Sequence, residues 1–139
     1  MSGFVLDASV ALCWCFDSQM NAYAGAVEAA LEGGVPAAVP FLWPLEMGHA
    51  LARAERLRQL SAGEVDSLAE YFRSQLFSVD PGGIELALGS ILSLARRTGL
   101  STYDASYLEL AIRRGWPLAT LDADLRKAAR RQGAKLFQG

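Results

Sequence analysis

Three apolar residues that stop at an acid constrain this chain more than anything else in it. Phe4, Val5 and Leu6 run unbroken into Asp7, and a helix-forming stretch begins at Ala8. An apolar run of this kind suits a strand covered on both faces, as in a parallel sheet flanked by helices. Asp7 then sits at the carboxyl end of a central strand, the edge at which open α/β sheets bind their ligands.

Punctuation divides the rest of the chain. Residues 8–16 and 21–33 read as helices, the second ended by Gly33 and Gly34. Residues 37–39 form a short strand candidate before Pro40, and Pro44 opens a helix over 43–58. Its apolar positions Trp43, Met47, Ala50, Leu51, Ala54 and Leu57 follow a helical period, with Glu46 beside the stripe. The Ser61–Glu64 capping box starts a helix to about Leu76, and Phe77–Val79 adds an extended piece. Further helices are expected over 80–97, 102–114 and 123–132, with strands at 118–121 and 135–137. Alternating strands and helices give an α/β fold with a mainly parallel central sheet flanked by helices, as one domain over residues 1–139.

Composition supports that reading. The chain is 52% hydrophobic, enough for one core, and shows no internal repeat or low-complexity tract. No basic-then-apolar leader is apparent at the start, and the most apolar stretch, 35–45, is broken by Pro36, Pro40 and Pro44. A soluble cytoplasmic protein without membrane association is expected. Cys13 and Cys15 lie two apart in a helix, where side chains do not face each other, so they read as small core residues rather than a disulfide. His49 is the only histidine, which leaves no ligand set for zinc; it reads as structural.

Net charge is −2, but its distribution is lopsided. Residues 96–139 hold nine of the 13 basic side chains and four of the 15 acids, so that segment is positive and residues 1–95 are negative. A basic end is compatible with phosphate binding, and equally with a solvated helical face.

Four acids occupy comparable places in this scheme. Asp7 follows the first strand, Glu46 lies in the first turns of the helix after the second, Asp104 in the first turn of its own helix, and Asp122 directly after the strand 118–121. Parallel strands would bring all four to one edge. Like charges so gathered repel unless a cation neutralises them, and hard oxygen donors without His or Cys favour Mg²⁺ or Mn²⁺. Each acid also has a plain structural explanation, because acids are favoured at helix N-termini and Ser101 could make Asp104 part of a capping box.

The segments FVLDAS (4–9), PLEMGHAL (44–51), LSTYDASYLELA (100–111) and LATLDADL (118–125) together resemble the PIN-domain ribonucleases, in particular VapC-type toxins of bacterial toxin–antitoxin pairs. The resemblance spans nearly the whole chain, and its third segment is the most specific. It places Asp7, Glu46, Asp104 and Asp122 at the family's acidic positions, and Ser9 and Thr120 at its supporting hydroxyls. It implies a metal-dependent endoribonuclease in which Mg²⁺ or Mn²⁺ activates water, with a homodimer and a cognate antitoxin protein as partners. Asp7, Asp104 and Asp122 are the expected metal ligands, and Glu46 a ligand or the group that orients water. Asp124 is a further acid with an open role. Arg53, two turns after Glu46, is a candidate contact for RNA or a partner, and the basic helix 126–131 a weaker candidate for the RNA backbone. Helices 43–58 and 62–77 are the candidate packing surfaces.

Other readings are weaker. A receiver-type signalling domain would need a second acid beside Asp7 and a lysine after a late strand, and only Lys127 and Lys135 exist. A phosphatase of the haloacid dehalogenase type would need an acid where Ser9 stands. A PIN-like module without catalysis remains as the alternative function.

Overall fold

In the computed structural model, which describes residues 2–75 and 77–139, four strands form one all-parallel sheet. They are β1 (Phe4–Leu6), β2 (Ala37–Val39), β3 (Phe77–Val79) and β4 (Leu118–Ala119), in the order β3-β2-β1-β4. The helices are α1 (Ala8–Cys13), α2 (Ala22–Glu32), α3 (Trp43–Arg56), α4 (Ala62–Ser74), α5 (Ile84–Ala87), α6 (Ser90–Thr98), α7 (Thr102–Arg114) and α8 (Ala123–Arg131).

The apolar run that opens the chain behaves as its composition demands. Phe4 pairs with Ala37, Val5 with Ala38 and Leu118, and Leu6 with Ala119. All three residues of β1 are fully buried. Burial of each such side chain contributes roughly 1.5–3 kcal/mol, so a three-residue central strand is enough to hold the sheet. Phe137 stacks on Phe4 with ring centroids 4.2 Å apart, closing the end of the sheet beyond β4.

Several expectations change in detail. The first helix ends at Cys13, and a short 3₁₀ turn over Asp17–Gln19 replaces its predicted continuation to residue 16. The predicted helix over 80–97 is two pieces. Gly82 and Gly83 have φ of 65° and 120°, conformations an L side chain resists, so the chain turns there before α5 can start. Gly89 then separates α5 from α6. Strand β4 stops at Ala119 rather than 121, because its partner β1 ends at Leu6 and the Thr120 carbonyl accepts from Arg126 Nε instead of from a strand. Residues 135–137 contribute a single parallel bridge, Leu118 to Leu136, instead of a strand. The predicted end of the fourth helix at Leu76 lies outside the described residues.

Helix α3 buries Trp43, Met47, Leu51 and Ala54, as its periodicity requires, while Leu57 is exposed beyond the helix end. Phe72 of α4 packs edge-on against Trp43 at 5.8 Å. The stripes of α3 and α4 therefore face the core and each other, and an apolar groove runs between them along Trp43, Met47, Leu51 and Phe72. Cys13 and Cys15 are buried free thiols. Among the described residues no helix is long and apolar enough to cross a membrane.

Candidate active site

Topology explains why distant acids share one edge. Asp7 is the residue at which β1 turns into α1, and Asp122 is the one at which the chain leaving β4 turns into α8. Helix α7 runs back towards the start of β4, so its first turn, with Asp104, lies at the end where the strands finish. Helix α3 begins after the carboxyl end of β2 and carries Glu46 in its first turn.

Asp7 is not a helix cap: its side chain makes no capping bond to α1. It is buried, at 6% exposure, and two hydroxyls hold its Oδ2. Ser9 Oγ donates to it at 2.6 Å and Thr120 Oγ1 at 2.7 Å. The same hydroxyls tie down the far strand. Ser9 Oγ accepts from the Leu121 N–H at 3.0 Å, and Thr120 Oγ1 from the Asp122 N–H at 3.1 Å. Burial raises the Asp7 carboxyl above its ordinary value; the two hydroxyls oppose this, and the charge of Asp122 adds to it.

Glu46 is half-buried, and Tyr107 donates a short hydrogen bond to its Oε1. Burial raises its carboxyl, the tyrosine opposes the shift, and the charges of Asp7 and Asp104 reinforce it. Asp104 is likewise raised, first by burial and then by the charges of Asp7 and Asp122. Its backbone N–H is capped by Ser101 Oγ at 3.1 Å. Asp122 has a double position: Oδ1 accepts from the Leu125 N–H at 2.8 Å and caps α8, while the carboxylate still acts on Asp7 and Asp104. The structural and chemical readings of Asp122 are compatible.

Asp7, Glu46 and Asp104 thus each feel the charge of another acid of the set. Yet among the described residues no three carboxylate, imidazole or thiol side chains are close enough to grip a metal ion as they stand. The donors fit a hard divalent cation in their chemistry, all being carboxylate oxygens. A closed coordination sphere would require side-chain rotation.

Tyr107 was not visible as a site residue from composition. Its spacing was a signal, since it stands three residues after Asp104 and hence on the same helical face. Burial and the Glu46 contact push its hydroxyl far above the ordinary tyrosine range, so it stays a donor. The remaining candidates are exposed. Arg53 and His49 lie on the outer side of α3, and Asp124 on the first turn of α8. Helix 126–131 does not act as one basic face. Arg126 turns inwards, donating from Nε to the Thr120 carbonyl at 2.7 Å, with its guanidinium 4.9 Å from the centroid of the Tyr23 ring.

The profile of the family described as PIN domain matches residues 4–131. The chain belongs to the PIN-domain family. Members of this family are generally nucleases, and PIN domains generally bind divalent metals. No curated protein sequence matches the chain. Among solved structures, this PIN domain is similar to PAE2754 from Pyrobaculum aerophilum, with a TM-score of 0.65 and 21% identity over 91% of this chain and 84% of that one. At that identity the likeness concerns the fold.

Proposed function

We propose that this PIN domain is a metal-dependent endoribonuclease that hydrolyses RNA phosphodiester bonds with activated water, and that it serves as the toxin of a toxin–antitoxin pair. What supports the catalytic part is that Asp7, Glu46 and Asp104, from three segments, each have carboxyls raised by burial and by charges of the set that Asp122 completes. Asp7, Asp104 and Asp122 would hold Mg²⁺ or Mn²⁺, with Glu46 as a fourth ligand or the group that orients water. A divalent ion bound there supplies Lewis acidity towards the phosphate and lowers the pKa of its water.

The chain's own groups do the remainder. Ser9 and Thr120 keep Asp7 in one rotamer. Tyr107 fixes Glu46 through Oε1 and leaves Oε2 to take or orient a water proton. Among the described residues no histidine bonds to the Ser9 or Thr120 hydroxyl to activate it as a nucleophile, which suits direct attack by water. The toxin role and its partners, a second copy and an antitoxin, rest on the resemblance to VapC-type proteins. Exposed apolar side chains such as Leu45, Ile84, Leu88 and Tyr103 supply surface for such contacts.

The deciding experiment is incubation of total RNA with purified protein and Mg²⁺ or Mn²⁺, with and without EDTA, beside Asp7→Asn. Discrete products that need metal and vanish in the variant are expected. Metal binding without products would turn attention to a narrow substrate; neither metal binding nor products would favour a non-catalytic module and sink the proposal.

A further inference from the structure

A cleft of about 400 Å³ opens between the end of α6 and one face of α8, and Asp104 is part of its wall. Asp124 shares that lining, and three cations complete it: Arg97, Lys127 and Arg131. Lys127 and Arg131 are one turn apart on α8 and so share a face, while Arg97 comes from the last turn of α6. Two separate elements thus aim like charges at one concavity. A solvated helical face would not do this, and the other basic residues of these helices show the contrast. Arg96 and Arg130 are exposed but do not line the cleft, and Arg126 is turned inwards.

None of the three cations forms an ion pair among the described residues, although two carboxylates line the same cleft. Core packing does not explain them either, since all three are exposed. Their arrangement favours an anion, and a cleft of this volume exceeds one phosphate group. The cleft meets the acid edge at Asp104, while Asp124 stands on the same helix as Lys127 and Arg131, so a strand held at the acids would continue along the face those two cations form.

We infer that this cleft binds the backbone of single-stranded RNA next to the bond held at the acids, with Arg97, Lys127 and Arg131 as its phosphate-positioning residues. The inference rests on the nuclease reading and assigns the side on which the strand leaves the site. Positioning by point charges makes binding steeply salt-dependent without touching the reacting bond.

The test compares wild type, Arg97→Gln/Lys127→Gln/Arg131→Gln, and a control with the same charge change, Arg56→Gln/Arg96→Gln/Lys135→Gln. Binding of a single-stranded RNA oligonucleotide is measured by fluorescence anisotropy against salt, and cleavage of the same strand is followed with Mn²⁺. The cleft variant should lose affinity by on the order of tenfold or more at low salt, and its log–log salt slope should flatten by about 2. KM should rise with it while kcat changes little, and the control should follow wild type. Lys127→Glu alone should move the slope in the same direction. Equal slopes and KM values for cleft variant and control would overturn the assignment. Wild type that neither binds Mn²⁺ nor cleaves RNA would instead overturn the nuclease reading, so the two failures are distinct.

Discussion

At Asp7, burial and hydrogen bonding pull in opposite directions. Burial favours the neutral acid, and the Ser9 and Thr120 hydroxyls favour the carboxylate that a metal would need. Thr120 is fully buried, so Thr120→Val keeps its shape and removes its donor. We expect this variant to fold, to raise the Asp7 carboxyl further, and to bind Mn²⁺ about 10- to 100-fold more weakly in a calorimetric titration. Unchanged affinity would mean that the hydroxyls only brace the strands. Tyr107→Phe tests the other end of the site. Its hydroxyl hydrogen bond lowers the Glu46 pKa, so its loss must raise it. If cleavage needs ionised Glu46, the acid limb of the pH–rate profile moves to higher pH in this variant. A limb that stays in place would separate that limb from Glu46.

Elements built from strong local signals were legible in the sequence, and those decided by distant contacts were not. Strands β1 and β2 are short apolar runs with a stop signal behind them, and α3 has an unambiguous period. The acids could be placed because each adjoins such an element. The break at Gly82 and Gly83 was legible in Pro81-Gly82-Gly83, a turn signal, and was missed because Asp80-Pro81 reads equally as the start of the helical composition that follows Ile84. The end of β4 at Ala119, and Arg126 folding back on Tyr23, depend on partners far along the chain. So does the ion cluster that anchors α7. Arg113 donates to Asp80 at 2.9 Å and to Glu109 at 2.9 Å, joining the end of β3 to the helix that carries Asp104 and Tyr107. The Arg113 guanidinium holds the Asp80 carboxyl below its ordinary value of 3.8. Its stabilisation is therefore present above that value and is lost as pH falls through the lower folded-state value. Because Arg113 is 39% exposed, Asp80→Asn should cost only about 1–3 kcal/mol at neutral pH, less than a fully buried pair would. Urea unfolding should show that difference shrinking as pH falls below 3.8. A difference independent of pH would assign the loss to packing instead of charge.

For the molecule as a whole, the site acids and Asp80 make opposite demands on pH. Asp7, Glu46 and Asp104 have raised carboxyls, so the folded chain holds their protons more tightly than the unfolded one. Their ionisation lowers stability as pH rises from the unfolded values near about 4 through the raised folded ones. The metal-free protein should then melt at falling temperature from weakly acidic to neutral pH, with Asp80 accounting for a separate loss in strong acid. A divalent cation binding only the folded, ionised site reverses the first trend, by linkage. Asp7→Asn distinguishes this from general acid repulsion, because it removes the most buried of the charges. At neutral pH without metal, the variant should melt about 3–6 °C above wild type, consistent with roughly 1–2 kcal/mol in a chain of this size. It should gain nothing from Mn²⁺ and should not cleave. Scanning fluorimetry across pH, with Mn²⁺ or EDTA, measures the melting behaviour on the same two proteins. An Asp7→Asn variant that melts below wild type in EDTA would show that the Asp7 charge supports the fold, and that the edge of this sheet is not strained for catalysis.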